Sequence, residues 1–165
     1  MIKQSFALSM RCGVLDRSSR NMRCVISILE NLLLMVESTK KLFVVDASFV
    51  VAFLLPDEKS AEPESIFDQY AAGNLALFTT TLLPYEVLNV FRSAVVRKRF
   101  TKQQAMDFYE AFSQLGIPEK PVDFPACLKL AVERNISCYD SSYLILARQK
   151  KAKLLTFDRA LQALG

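Results

Sequence analysis

Four apolar residues in a row, Leu42, Phe43, Val44 and Val45, run without interruption into Asp46, Ala47 and Ser48. An unbroken run of this kind, rich in β-branched side chains, predicts a strand buried on both faces, as in parallel sheets. Such a strand needs helices above and below it, so the stretch commits the chain to an α/β architecture. Open α/β sheets carry their chemistry at the carboxyl ends of strands, which is where Asp46 falls. Asp is also a favoured helix N-cap, and the residues that follow suit a helix. The stretch alone leaves both readings open.

The same alternation continues downstream. The stretch SFVVAFLLPDE (48–58) reads as a short helix ended by Pro56, and residues 58–72 as a second, stopped by Gly73-Asn74. LALFTT (75–80) reads as a second strand. Residues 82–99 form the longest predicted helix, apolar at Val87, Val90, Phe91, Ala94 and Val95 and ending in Arg97-Lys98-Arg99. Thr101 is placed to cap a further helix closed by Gly116. Pro118 and Pro121 limit residues 117–124 to a short edge strand. A helix over 125–134 follows, and then Cys138-Tyr139-Asp140, read as a strand-like tripeptide leading into a helix over 141–150. KLLTF (153–157) is the last predicted strand and 158–164 the last short helix. The expectation is a three-layer α/β/α sandwich around a mostly parallel sheet of four to five short strands.

Residues 1–34 differ in texture, with no clean period and +3 of the chain's formal +4 charge. A short amphipathic helix over 26–36 is the most they suggest. Met35 precedes the first strand by a few residues, so 1–34 reads as an extension or mis-assigned start and 35–165 as the folded domain. Hydrophobic residues at 52% and charged residues at 23% are ordinary for a globular chain. No run reaches the ~20 apolar residues of a membrane span. The four cysteines lack metal-ligand spacing and read as reduced thiols of a cytoplasmic protein. There is no histidine. Serine or cysteine triads, histidine-liganded zinc and histidine-based ribonuclease chemistry are thereby excluded.

Any chemistry must then rest on carboxylates, hydroxyls, lysines or arginines. Most acids sit in solvated segments, but four do not. Asp46 ends the first strand, and Glu86 shares a helical phase with Leu83 and Val90. Asp140 precedes an apolar helix, and Asp158 follows the last strand two residues after Thr156. Asp140 and Asp158 also suit helix caps. Glu86 is harder to explain so, because an unpaired buried carboxylate costs several kcal/mol and no Lys or Arg stands within one turn. One or two hard divalent cations would satisfy all four, and oxygen-only donors suit Mg²⁺ or Mn²⁺.

The order VVDAS, PYEVLNVF, YDSSYLILA and LLTFDRAL resembles the PIN-domain family, and most of all its VapC-type toxin branch, over about residue 41 onward. The resemblance implies a metal site of Asp46, Glu86, Asp140 and Asp158, with Ser48 and Thr156 as accompanying hydroxyls. It implies a Mg²⁺- or Mn²⁺-dependent endoribonuclease, an RNA substrate, a cognate antitoxin protein and a homodimer, with no membrane partner. Members of that family usually add an edge strand after the last short helix, a position beyond Gly165, and residues 1–34 match nothing in the pattern. Two cations about 4 Å apart can drive in-line phosphodiester displacement without histidine. Phosphates also need cations, and Arg97-Lys98-Arg99 and Lys150-Lys151-Lys153 are the candidate patches. A rival reading is a non-catalytic module of the same fold that acts through a partner protein. A DNA-directed flap-type nuclease would need elements for which the length leaves no room.

Overall fold

The computed structural model describes residues 40–57 and 60–165. The expected extension over 1–34 and the helix over 26–36 lie outside these residues. Lys40–Gly165 forms one compact unit.

Its centre is β1 (Lys41–Val45), flanked by β2 (Leu75–Thr80) and β4 (Lys153–Leu155), with β3 (Glu119–Lys120) beyond β2. Every pairing is parallel; Phe43, for example, stands opposite Leu77 of β2 and Lys153 of β4. β1 therefore has a neighbour on each edge and helices on each face, which is why its sequence shows no polar alternation. β3 is two residues long because Pro118 and Pro121 bracket it, and the Pro118 carbonyl accepts the Thr79 N–H at 3.1 Å.

The side chains of β1 alternate between two cores. Val45, Leu75, Leu77 and Leu155 pack on α1 (Ala47–Leu54), α2 (Ala61–Ala71), α3 (Leu83–Val96) and the inner edge of α4 (Lys102–Gln114). Val44 and Leu154 pack on α5 (Phe124–Arg134), α6 (Cys138–Lys150) and α7 (Arg159–Gln162). This is the expected three-layer sandwich. Phe49, Phe53 and Phe67 knit α1 to α2, with ring centroids 4.3 Å apart for Phe53 and Phe67. Thr101 caps α4 as the sequence suggested, and Gln104 completes a capping box with it.

Three boundaries differ from expectation. Cys138–Asp140 is the first turn of α6 instead of a strand-like lead-in, because the Ser137 hydroxyl accepts the Asp140 N–H at 3.0 Å and starts the helix early. Asp140 is therefore no cap. β4 ends at Leu155, so Thr156 and Phe157 leave the ladder, and α2 starts at Ala61.

The connection from β1 to β2 runs over one face of the sheet and that from β3 to β4 over the other. The order reverses at β1, so the carboxyl ends of β1 and β4 part around a crevice, the usual ligand position in such sheets.

Candidate active site

Each candidate side chain is delivered to this crevice by the end of an element. Asp46 leaves β1 to cap α1, its Oδ1 accepting the Phe49 N–H at 3.0 Å and the Ser48 hydroxyl at 2.8 Å. Its Oδ2 accepts the Thr156 hydroxyl at 2.5 Å, reaching across from the end of β4. Asp46 is thus both a cap and a buried carboxylate at the sheet's carboxyl edge.

Thr156 Oγ1 accepts the Asp158 N–H at 2.9 Å, and the Phe157 N–H donates to Ser48 Oγ at 2.8 Å. One chain of hydrogen bonds so joins Ser48, Asp46, Thr156 and Asp158. Asp158 is exposed and caps α7, its Oδ1 accepting the Ala160 N–H at 2.7 Å and the Leu161 N–H at 3.0 Å.

The opposite wall is helical. Glu86 stands in the first turn of α3, half-buried, and Asp140 in the first turn of α6. The buried Tyr143, one turn after Asp140, donates its hydroxyl to Glu86 Oε2. Sequence reasoning placed Tyr143 on an apolar face and missed this role. A buried tyrosine hydroxyl must find a partner, but the helix pattern does not say which. Thr79 was missed as well. It is buried at the end of β2 and donates to the Val45 carbonyl at 3.0 Å, fixing the backbone just before Asp46.

The electrostatics show what the arrangement lacks. Burial raises the Asp46 carboxyl above its ordinary range; Thr156, the Phe49 N–H and Ser48 pull it down, and the charge of Asp158 raises it. Burial likewise raises Glu86, against the hydrogen bond from Tyr143, and the charges of Asp46 and Asp140 add to the rise. Burial, and then the Glu86 carboxylate that receives its proton, hold Tyr143 firmly in the phenol form. Among the described residues, no cation is one of the groups acting on either acid, and like charges are gathered without an opposite one.

Among the described residues no three acids or thiols close around a single point as they stand. The chemistry of the donor set nonetheless fits a hard divalent ion: all donors are oxygens, several are carboxylates, and no cation among the described residues offsets their repulsion. Asp46 and Asp140 both act on Glu86 by their charge, and Asp158 acts on Asp46, so these four acids are the candidate donors. Of the basic runs, Lys150-Lys151-Lys153 lies at the amino end of β4, and Lys150 Nζ sits 5.6 Å from the Phe78 ring centroid. That run and Thr156 lie at opposite ends of β4.

Parallel order β3-β2-β1-β4, helices on both faces and acids at the switch point define the class of protein, and residues 43–165 match the PIN domain. The chain belongs to the PIN-domain family. Within that family its likeness is to VapC-type proteins: it is 30% identical over 122 residues to Ribonuclease VapC3 of Pyrobaculum aerophilum, covering 72% of this chain and 90% of that one. The crystal structure of PAE2754 from Pyrobaculum aerophilum superimposes with a TM-score of 0.59 at 26% identity, covering 74% of this chain and 78% of the other. Mycobacterium tuberculosis VapC20, a sarcin-ricin loop cleaving toxin, shares the fold with a TM-score of 0.52 at 18% identity, over 74% and 95% of the two chains. Among the described residues no helix is long and apolar enough to cross a membrane.

Proposed function

We propose that this chain is a Mg²⁺- or Mn²⁺-dependent endoribonuclease, the toxin of a toxin–antitoxin pair, acting in the cytoplasm. The observation that carries the reading is the meeting of acids at the switch point: burial raises Asp46 and Glu86, the charge of Asp158 adds to the first and those of Asp46 and Asp140 to the second, and among the described residues no cation acts on either. The likeness to a VapC ribonuclease supports RNA as the substrate and an antitoxin protein as the partner. A homodimer is part of the same proposal.

Asp46, Glu86 and Asp140 would hold the ion, with Asp158 completing the set. When bound, the ion activates the attacking water and stabilises the oxygens that gain charge in an in-line displacement. The chain's own residues fix the carboxylates. Thr156 and Ser48 donate to the two oxygens of Asp46 and so hold its rotamer, while Tyr143 does the same for Glu86. Packing of Phe157 on Phe49, with centroids 5.4 Å apart, keeps the β4–α7 turn and Thr156 against α1.

The test is RNA cleavage by the full chain with Mg²⁺ or Mn²⁺, with EDTA, and after Asp46→Asn. Cleavage should need the ion, and Asp46→Asn should lower it by a factor on the order of 10³ while the fold is kept. Cutting that continued in EDTA, or in the Asn variant, would overturn the reading.

A further inference from the structure

Ser48, which holds Asp46, also lines a cleft of about 560 Å³ between α1 and α3. Val51 and Ala94 contribute to its apolar floor. Its polar groups come from one face of α3, where Asn89, Ser93 and Arg97 recur at intervals of four. Glu86 precedes Asn89 by three residues and so belongs to the same side of the helix. At 1.5 Å per residue, Arg97 lies about 16 Å along α3 from Glu86.

The two guanidinium groups at the far end differ in how they are engaged. Arg99 is tied by its Nε and Nη2, each 2.6 Å from Asp57 Oδ2, and lies 5.0 Å from the Phe100 ring centroid. Arg97 is exposed, lines the cleft and makes no ion pair among the described residues. The track thus runs from uncompensated carboxylates, past a hydroxyl and an amide that are neutral, to an available cation.

That gradient is what an anionic polymer needs in order to enter an acidic site. Close to the carboxylates only neutral donors can face the polymer without competing for the acids. A cation one or two nucleotides further on offsets the repulsion. We propose that this cleft is the path of single-stranded RNA leaving the cut, with Arg97 anchoring a phosphate remote from the scissile one and Ser93 and Asn89 positioning the backbone between. The proposal rests on the ribonuclease reading of the acid site and adds where the rest of the substrate lies.

The test uses the full chain and a labelled single-stranded RNA on the order of ten nucleotides long. Binding is followed by anisotropy across a salt series with EDTA present, and cleavage kinetics are followed with Mg²⁺. Arg97→Ala should weaken binding about tenfold and flatten the plot of log affinity against log salt by about 0.7, the share of one phosphate contact in a single strand. In the kinetics KM should rise with kcat unchanged. Arg97→Lys should restore the slope. Lys129→Ala, which removes a charge from α5 outside the cleft, should leave it as in the wild type. An unchanged slope in Arg97→Ala overturns the proposal, as does a fall in kcat at constant KM. So does a loss of affinity for a partner protein while the RNA slope stays put, which would make the cleft a protein site. A wild-type chain that bound RNA through Arg97 yet did not cut would refute the ribonuclease centre and uphold the cleft.

Discussion

Glu86 shows how one side chain reveals what its position is for. Its ordinary value is 4.5, and burial raises it, with Asp46 and Asp140 adding to the rise. A carboxyl whose pKa is raised on folding binds its proton more tightly in the native state, so stability falls as pH climbs from the unfolded value through the folded one. Above the ordinary value that cost is present, and it grows as the pH climbs towards neutrality. Glu86→Gln cannot ionise and keeps an oxygen to accept the Tyr143 hydroxyl. In EDTA at pH 7 this variant should melt higher than the wild type, by an amount on the order of 3 °C once screening of a half-exposed group is allowed for. The gap should close as the pH approaches 4.5. Thermal scans at the two pH values check this, and an equal gap at both would refute it. Mg²⁺ should raise the wild-type midpoint and leave that of the variant nearly unmoved. Glu86 was legible in the sequence because its phase conflicts with its polarity. Tyr143 was not, because its hydroxyl partner lies 57 positions away and an apolar helix face offers no pointer across the fold.

Among elements, the informative contact is the one between the ends of β1 and β4. Thr156 gives its proton to Asp46 and receives that of the Asp158 N–H, so a single hydroxyl sets a carboxylate and starts α7. Thr156→Val keeps the shape and removes both bonds. It should cost about 1–3 kcal/mol and lower cleavage by about 10–100-fold, while Thr156→Ser should recover most of each. Full activity in the Val variant would show that Asp46 needs no orienting partner. Element types were readable because apolar period and turn residues agree along most of the chain. Their ends were less so. Ser137 outbid the β-prone Cys138 and Tyr139 for the start of α6, and three helices are followed by Lys98, Asn135 and Lys151 in the left-handed region, where sequence logic favours glycine. Gly73 and Gly116 do take that conformation, at the stops where they were expected.

For the whole molecule, the question is how much chain the fold requires. β1 begins at Lys41 and is the central strand, with partners on both edges. The family match starts at residue 43, and Lys40–Gly165 is compact by itself. A central strand is ordered by its neighbours' ladders and by two cores, and the described residues from Lys40 onward supply ladders on both its edges and a core on each face. Deleting residues 1–34 should therefore leave a cooperative melt within about 2 °C of the full chain and unchanged cleavage of a short RNA. The deletion also removes +3 of the +4 net charge. Binding of a long RNA should thus lose some of its salt dependence even though the site is intact, because remote cations act on the polymer as a whole. Melting and cleavage of the two lengths side by side separate these effects. A broadened melt, or cleavage lost on the short RNA, would mean that the first residues support the sheet; a salt slope unchanged on the long RNA would mean that they do not meet the substrate.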